Sequence, residues 1–204
     1  MTAQLVIRKL TLIRGDRCLF TDVSFTAAEG QLVLLEGDNG SGKTSLLRAI
    51  VGLLEPESGE ILWNDSPAAA VRDEFFAALV WMGHRVGLKA DLTVEENLTF
   101  EASLRPTRGE NLDGVLERLS IMRLKPLPLR ALSAGQQRRV ALARMLLASA
   151  PLWLMDEPFT NLDRDGRGLV ESLVAEHLGR GGLCIMTAHQ DLDIEAPIMR
   201  VRLS

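Results

Sequence analysis

Leu32-Val33-Leu34-Leu35-Glu36-Gly37-Asp38-Asn39-Gly40-Ser41-Gly42-Lys43-Thr44-Ser45-Leu46-Leu47 is the stretch on which the fold turns. Leu32 to Leu35 is an uncharged apolar run, the kind needed by a parallel strand covered on both faces. Glycines 37, 40 and 42 then interrupt it, and Leu46, Leu47, Ile50 and Leu53 resume at helical spacing. The order is strand, glycine loop, helix. Gly37 to Thr44 fits G-x-x-x-x-G-K-[ST]. In such a loop the glycines let successive backbone N–H groups curl around phosphate oxygens, while the following helix points its positive end at the same anion. Gly37, Asp38, Asn39, Gly40, Ser41, Gly42, Lys43, Thr44 and Ser45 are the expected phosphate-binding residues. Lys43 would reach the β- and γ-phosphates and Thr44 would place its hydroxyl on Mg²⁺. An ordinary glycine-rich turn is the bland alternative, but the four fixed positions coincide by chance in roughly one such chain in a hundred.

Working outward, Val6, Leu10 and Leu12 and then Val23 to Phe25 read as strands upstream of the loop. Downstream, Gly52 and Pro56-Glu57-Ser58-Gly59 turn the chain into a short strand, Ile61 to Trp63. From Val94 to Leu147 helical spacing dominates, punctuated by Pro106, Gly109, Pro126 and Pro128. A short apolar strand, Leu152 to Met155, follows, then a helix through Leu169, Leu173 and Leu178, a strand Leu183 to Met186, and a last strand around Met199 to Leu203. The expectation is a single α/β domain over 1–204, with the helical stretch as an insertion in the α/β frame. No internal repeat or long linker argues for a second domain.

At 204 residues the chain can bury about 70% of its unfolded surface in one core. Its net charge of −4 argues against a non-specific nucleic-acid binder, which needs clustered positive charge. The longest charge-free apolar stretch, Met145 to Met155, falls short of the roughly 18 residues that span a bilayer. Arg8, Lys9, Arg14 and Asp16 interrupt the N-terminus, unlike the apolar core of a signal peptide. A cytosolic chain is expected. Cys18 and Cys184 lie outside any CxxC pattern and read as reduced, buried packing residues. His177 reads as a surface residue favoured by the end of its helix, and Met82, Met122, Met145, Met155, Met186 and Met199 as core filling.

Three further segments carry chemistry. Asp156-Glu157 closes the strand Leu152 to Met155; beside a phosphate loop, Asp156 would complete the Mg²⁺ shell and Glu157 would polarise an attacking water. Two acids opening a turn before Pro158 is the alternative. Leu132-Ser133-Ala134-Gly135-Gln136 precedes a periodic helix through Val140, Leu142, Ala143, Leu146 and Leu147, giving a second helix N-terminus suited to an anion. Thr187-Ala188-His189-Gln190 closes another strand and sets an imidazole at the sheet edge that holds Asp156.

In this order the pieces resemble the nucleotide-binding domain of ABC transporters over nearly the whole chain. The resemblance makes Gly37 to Thr44 the Walker A loop, Leu132 to Gln136 the signature, Leu152 to Asp156 Walker B with Glu157 as catalytic base, Asn161-Leu162-Asp163 the D-loop and His189 the switch histidine. It implies an α/β fold of P-loop NTPase, ABC type, with a mixed sheet core, an antiparallel β portion and a helical subdomain inserted over roughly 84–148. It also implies an ATPase using ATP and Mg²⁺, and a homodimer in which the signature of one subunit covers ATP held by the Walker A loop of the other. Trp81-Met82-Gly83-His84, continuing through Gly87-Leu88-Lys89 to Leu92-Thr93-Val94-Glu95-Glu96-Asn97-Leu98, is similar to the cytochrome c maturation ATPases, the CcmA family of the so-called haem exporter. So are the Ser-Ala-Gly-Gln-Gln signature, Asp156-Glu157-Pro158-Phe159 and Thr-Ala-His-Gln. That narrower likeness implies a role in cytochrome c biogenesis, through haem export or release of the haem chaperone. It also implies transmembrane partners of CcmB and CcmC type, attachment through them to the cytoplasmic face of the inner membrane, and no nucleic acid.

Two positions depart from the wider ABC pattern. His84 replaces the Q-loop glutamine with a shorter, titratable group. Arg14 stands where many relatives stack an aromatic ring on adenine; a guanidinium plane can stack on a base, and a solvated arginine at a strand end is the other reading. His84 to Lys89 and the helical insertion resemble the surface on which ABC membrane subunits dock. The competing functions are an ABC ATPase for another substrate, a soluble non-transport ABC ATPase, a P-loop phosphotransferase and a regulatory nucleotide sensor. The phosphotransferase leaves the signature and His189 unexplained.

Overall fold

Leu32 and Leu34 point to one side of their strand, Val33 and Leu35 to the other, and each side meets its own hydrophobic cluster. That two-sided burial organises the chain, which the computed structural model describes over residues 3–84, 86–104, 109, 111–188 and 192–203. β3 (Leu32–Glu36) lies in a five-stranded parallel sheet with β6 (Leu79–Met82), β7 (Leu152–Met155), β8 (Leu183–Thr187) and β9 (Ile198–Arg202), in the order β6-β7-β8-β3-β9. Trp153, Met155, Cys184 and Met186 join Leu32 and Leu34 beneath α5 (Ala134–Leu147) and α6 (Arg164–Gly179). Leu152, Leu154, Leu183 and Ile185 join Val33 and Leu35 against α1 (Lys43–Ile50) and a second sheet. Continuous rather than alternating apolar runs follow from this covering of both faces.

The second sheet is antiparallel. β1 (Gln4–Arg14) and β2 (Arg17–Ala28) form a hairpin, and β4 (Ser58–Trp63) and β5 (Ser66–Pro67) extend it in the order β2-β1-β4-β5. A short helix, α2 (Arg72–Ala78), leads directly into β6. Between β6 and β7 lie α3 (Val94–Ser103), α4 (Leu112–Arg118), 3₁₀ turns at Met122–Leu124 and Leu129–Ala131, and α5. The Leu-Thr-Val-Glu-Glu-Asn-Leu motif shapes this region. Thr93 caps α3 and forms a reciprocal capping box with Glu96, whose carboxyl the Thr93 hydrogen bonds hold below its usual range. Asn97, buried, accepts from Lys89 N at 2.8 Å and donates to Lys89 O at 3.0 Å and Leu92 O at 3.1 Å, fixing the loop that follows His84. Among the described residues no helix is long and apolar enough to cross a membrane.

Several sequence readings change. Gly52, with φ +69°, stops α1 short of Leu53, which is 62% exposed instead of lying on the apolar helix face. α2 and β6 were not separable by period, because Phe75 to Met82 is a single apolar run without a break residue. Cys18 is exposed, since it sits on the outer face of β2, whereas Cys184 is buried and its thiol is pushed well above the usual range by desolvation. Met122 and Met199 are only half-buried; Met82, Met145, Met155 and Met186 fill the core.

His177 is the largest reversal. It is 2% exposed and stacks on the Trp153 indole, with ring centroids 4.0 Å apart and planes 9° from parallel. Its Nε2 lies 3.0 Å from Pro151 O and 3.3 Å from Leu183 O, so the proton sits there and is donated to the carbonyls where β7 and β8 begin. His177→Ala should lower the unfolding free energy by about 2–4 kcal/mol, through the cavity beside Trp153 and the lost donor. Urea denaturation measures this as a lower midpoint with an unchanged slope.

Candidate functional site

The loop after β3 closes on itself through backbone conformations that need glycine. Gly42 has φ +101°, and a Cβ there would stand 2.8 Å from the Phe20 ring. At Gly37, φ +142°, a Cβ would meet Leu203 O at 2.5 Å. Gly42 is also the N-cap of α1 and has no side chain to cap it, so the N–H groups of the first turn face the loop. Lys43 is 7% exposed and its Nζ donates to Gly37 O at 2.6 Å and Asp38 O at 3.0 Å. The ammonium is thus folded into the loop it would share with an anion. Asp38, Asn39 and Gly40 are exposed, Ser41 and Thr44 half-buried, and Gly42 and Ser45 buried.

The parallel sheet brings the acids to this loop. Thr44 Oγ1 donates to Asp156 Oδ1 at 3.1 Å across 112 residues of sequence. Thr187, at the end of β8, donates to the same oxygen at 3.0 Å, and its own Oγ1 accepts from Glu157 N at 2.7 Å. Register explains the meeting: Met155 pairs with Met186, so Asp156, just past the end of β7, lies beside Thr187, the last residue of β8. Glu157 takes the left-handed region, φ +48°, and its Oε2 accepts from Thr160 Oγ1 at 3.3 Å. Thr44, Asp156, Glu157 and His84 share one open cavity of about 540 Å³, with Arg48 and Arg144 on its wall. A hydroxyl and a buried carboxylate converging here are hard oxygen donors that fit Mg²⁺, an ion that binds through one or two protein groups and takes its remaining ligands from water and phosphate. No larger cluster of metal-ligating side chains exists among the described residues.

Other expected site residues lie elsewhere. Arg14 is exposed at the tip of the β1–β2 hairpin opposite Arg17, and it is Arg17 whose Nη2 reaches the loop, donating to Gly40 O at 3.4 Å. Ser133 caps α5: its Oγ accepts from Gln136 N at 3.3 Å while Gln136 Oε1 accepts from Ser133 N at 2.9 Å. Ser133 and Ala134 are exposed, and Gly135 packs so closely on Asn161 O that a Cβ would stand 2.9 Å from it. Neither cavity beside the phosphate loop includes Ser133 to Gln136. His189 lies outside the described residues. Thr187 is the site residue that sequence reading passed over; the signal available was a hydroxyl at the end of a buried strand next to the one carrying Asp156.

A family model described as ABC transporter matches residues 20–160. The chain is 43% identical over 204 residues to the cytochrome c biogenesis ATP-binding export protein CcmA of Methylococcus capsulatus, covering 99% of each. It is 42% identical to the protein of the same name in Vibrio cholerae, over 96% of each. Among solved structures, one titled an ABC transporter ATP-binding protein from Pyrococcus furiosus superposes with a TM-score of 0.83 at 29% identity, over 98% of this chain and 97% of that one. Another, titled the ATP-binding subunit of an ABC transporter, gives 0.84 at 25% identity over 91% and 79%.

Thr187→Val should cost about 1–3 kcal/mol, because it removes the acceptor of the half-buried Glu157 N–H and a donor to the buried Asp156 carboxylate, and Thr187→Ser should recover most of it. Denaturant midpoints of the two variants check both.

Proposed function

The chain belongs to the ABC transporter family of ATP-binding proteins, and from that footing we propose how its residues carry ATP hydrolysis and what the hydrolysis drives. One observation carries the reading: Thr44 of the phosphate loop and Asp156 of the neighbouring strand end meet at 3.1 Å in the cavity that Glu157 also lines. The N–H groups from Gly37 to Ser45 bind the phosphates, and Lys43 transfers its ammonium from the Gly37 and Asp38 carbonyls to the β- and γ-phosphate oxygens. Thr44 and Asp156 would hold Mg²⁺, which would supply charge neutralisation to the phosphates. Glu157 accepts the proton of the water that attacks the γ-phosphorus. His84, on the wall of the same cavity, and His189 orient the γ-phosphate and that water. Arg17, which reaches the phosphate loop, and Arg14, opposite it on the hairpin, supply the guanidinium planes that can stack on the base.

Ser133, Ala134, Gly135 and Gln136 complete the site from a second copy of the chain. The exposure of Ser133 and Ala134, and the absence of all four from the cavity at the loop within one chain, supports a homodimer that closes on two ATP molecules. The protein is the ATP-hydrolysing subunit of a cytochrome c biogenesis ABC exporter; its relatives are named cytochrome c biogenesis ATP-binding export proteins. It functions as a single ATPase domain, with residues 84–148 as a helical subdomain that receives the membrane partners. Those partners are of CcmB and CcmC type and hold the chain at the cytoplasmic face of the inner membrane. Haem export or release of the haem chaperone is the work driven.

Glu157→Gln should keep ATP affinity within about twofold while turnover falls by about 10²-fold or more. Lys43→Ala should weaken nucleotide binding itself by at least about tenfold. Equilibrium titration with a fluorescent nucleotide, beside steady-state phosphate release, separates the two. Wild-type turnover in the first variant, or wild-type affinity in the second, removes the assigned role.

A further inference from the structure

Arg138 lies in the second turn of α5 and is 4% exposed. Its guanidinium is spent on main-chain carbonyls: Nε donates to Pro158 O at 3.2 Å, Nη1 to Gly83 O at 3.1 Å, and Nη2 to Asp156 O at 3.0 Å and to Glu157 O. Three consecutive carbonyls can converge on one planar fork only if the chain turns sharply, and Glu157 makes that turn in the left-handed region at φ +48°. A β-carbon-bearing residue holds this conformation when its surroundings over-determine it. Here the surroundings are a buried cation whose donors have fixed directions, together with Thr187 Oγ1, which accepts from Glu157 N. The fourth carbonyl belongs to Gly83, the residue before His84.

We propose that Arg138 is a positioning residue that fixes the main chain of Glu157 and Gly83, and thereby makes the aim of the Glu157 carboxylate depend on the position of α5. The helix whose N-terminus carries Ser133 to Gln136 is then mechanically joined to the base and to His84 through one side chain. A shift of α5 when its N-terminus engages a phosphate reorients both groups facing the cavity. This rests on the reading of Glu157 as base.

Arg138→Lys and Arg138→Gln in the full-length protein test it, assayed below the unfolding transition of each variant. Neither replacement can span carbonyls from Gly83 to Pro158. The expected result is kcat lower by about tenfold or more, with KM and nucleotide affinity within about twofold of the parent. A kcat within about twofold of the parent in a folded variant overturns the inference, as does a loss of affinity that accounts for the whole loss of rate. If neither variant folds, amide hydrogen exchange on the unsubstituted chain decides. A non-hydrolysable ATP analogue should change exchange at Glu157 and Thr160 together with that at Gln136 to Arg138; a change confined to α5 overturns the coupling. Glu157→Gln, run alongside, keeps the failures apart. Undiminished turnover there defeats the base assignment, whereas collapse there with full activity in Arg138→Lys defeats only the role of Arg138.

Discussion

A single carboxylate oxygen ties the site together. Asp156 Oδ1 accepts one hydrogen bond from Thr44 and one from Thr187, so the helix that follows β3, the residue that follows β7 and the end of β8 are joined at one buried atom. The three strands are parallel neighbours and end at the same sheet edge. That edge is where an open α/β sheet presents ligand groups. Packing helices on one face, and α1 with the antiparallel sheet on the other, leaves the ends of the strands as the place where polar chemistry can collect.

The phosphate loop follows from the same constraint. α1 packs under the sheet, so its N-terminus must arise directly from the end of β3, and the turn between them leaves no room for side chains at Gly37 and Gly42. Lys43 then turns back onto the loop, and the carbonyls of Gly37 and Asp38 hold it beside the N–H groups. An anion entering the loop meets both donors without a large rearrangement.

How far the sequence could be read depended on whether the signal was local. The loop, the strand before Asp156 and the helix beyond Ser133 each carry their information within about ten contiguous residues, through periodicity, glycine placement and capping chemistry. The capping box of Ser133 and Gln136 formed as the residue types required. Information that crosses the sheet was not legible. Thr187 meets Asp156 because of a strand register, Arg138 reaches the same turn from another layer, and His177 is buried because Trp153 faces it from β7. The helix end that made His177 look like a surface residue is covered by the starts of two strands. β6 was hidden for a different reason: four apolar residues following an apolar helix leave no change of period to detect.

Within one chain the anion-ready terminus of α5 stands apart from the loop that grips the phosphates, so the account rests on two copies closing around nucleotide. Sedimentation velocity on the full-length protein carrying Glu157→Gln, with and without ATP, measures this most directly. The account predicts a monomer that converts to a dimer on addition of ATP and returns to monomer when ATP is removed. A chain that remains monomeric at saturating ATP, alone and with its membrane partners, would contradict it.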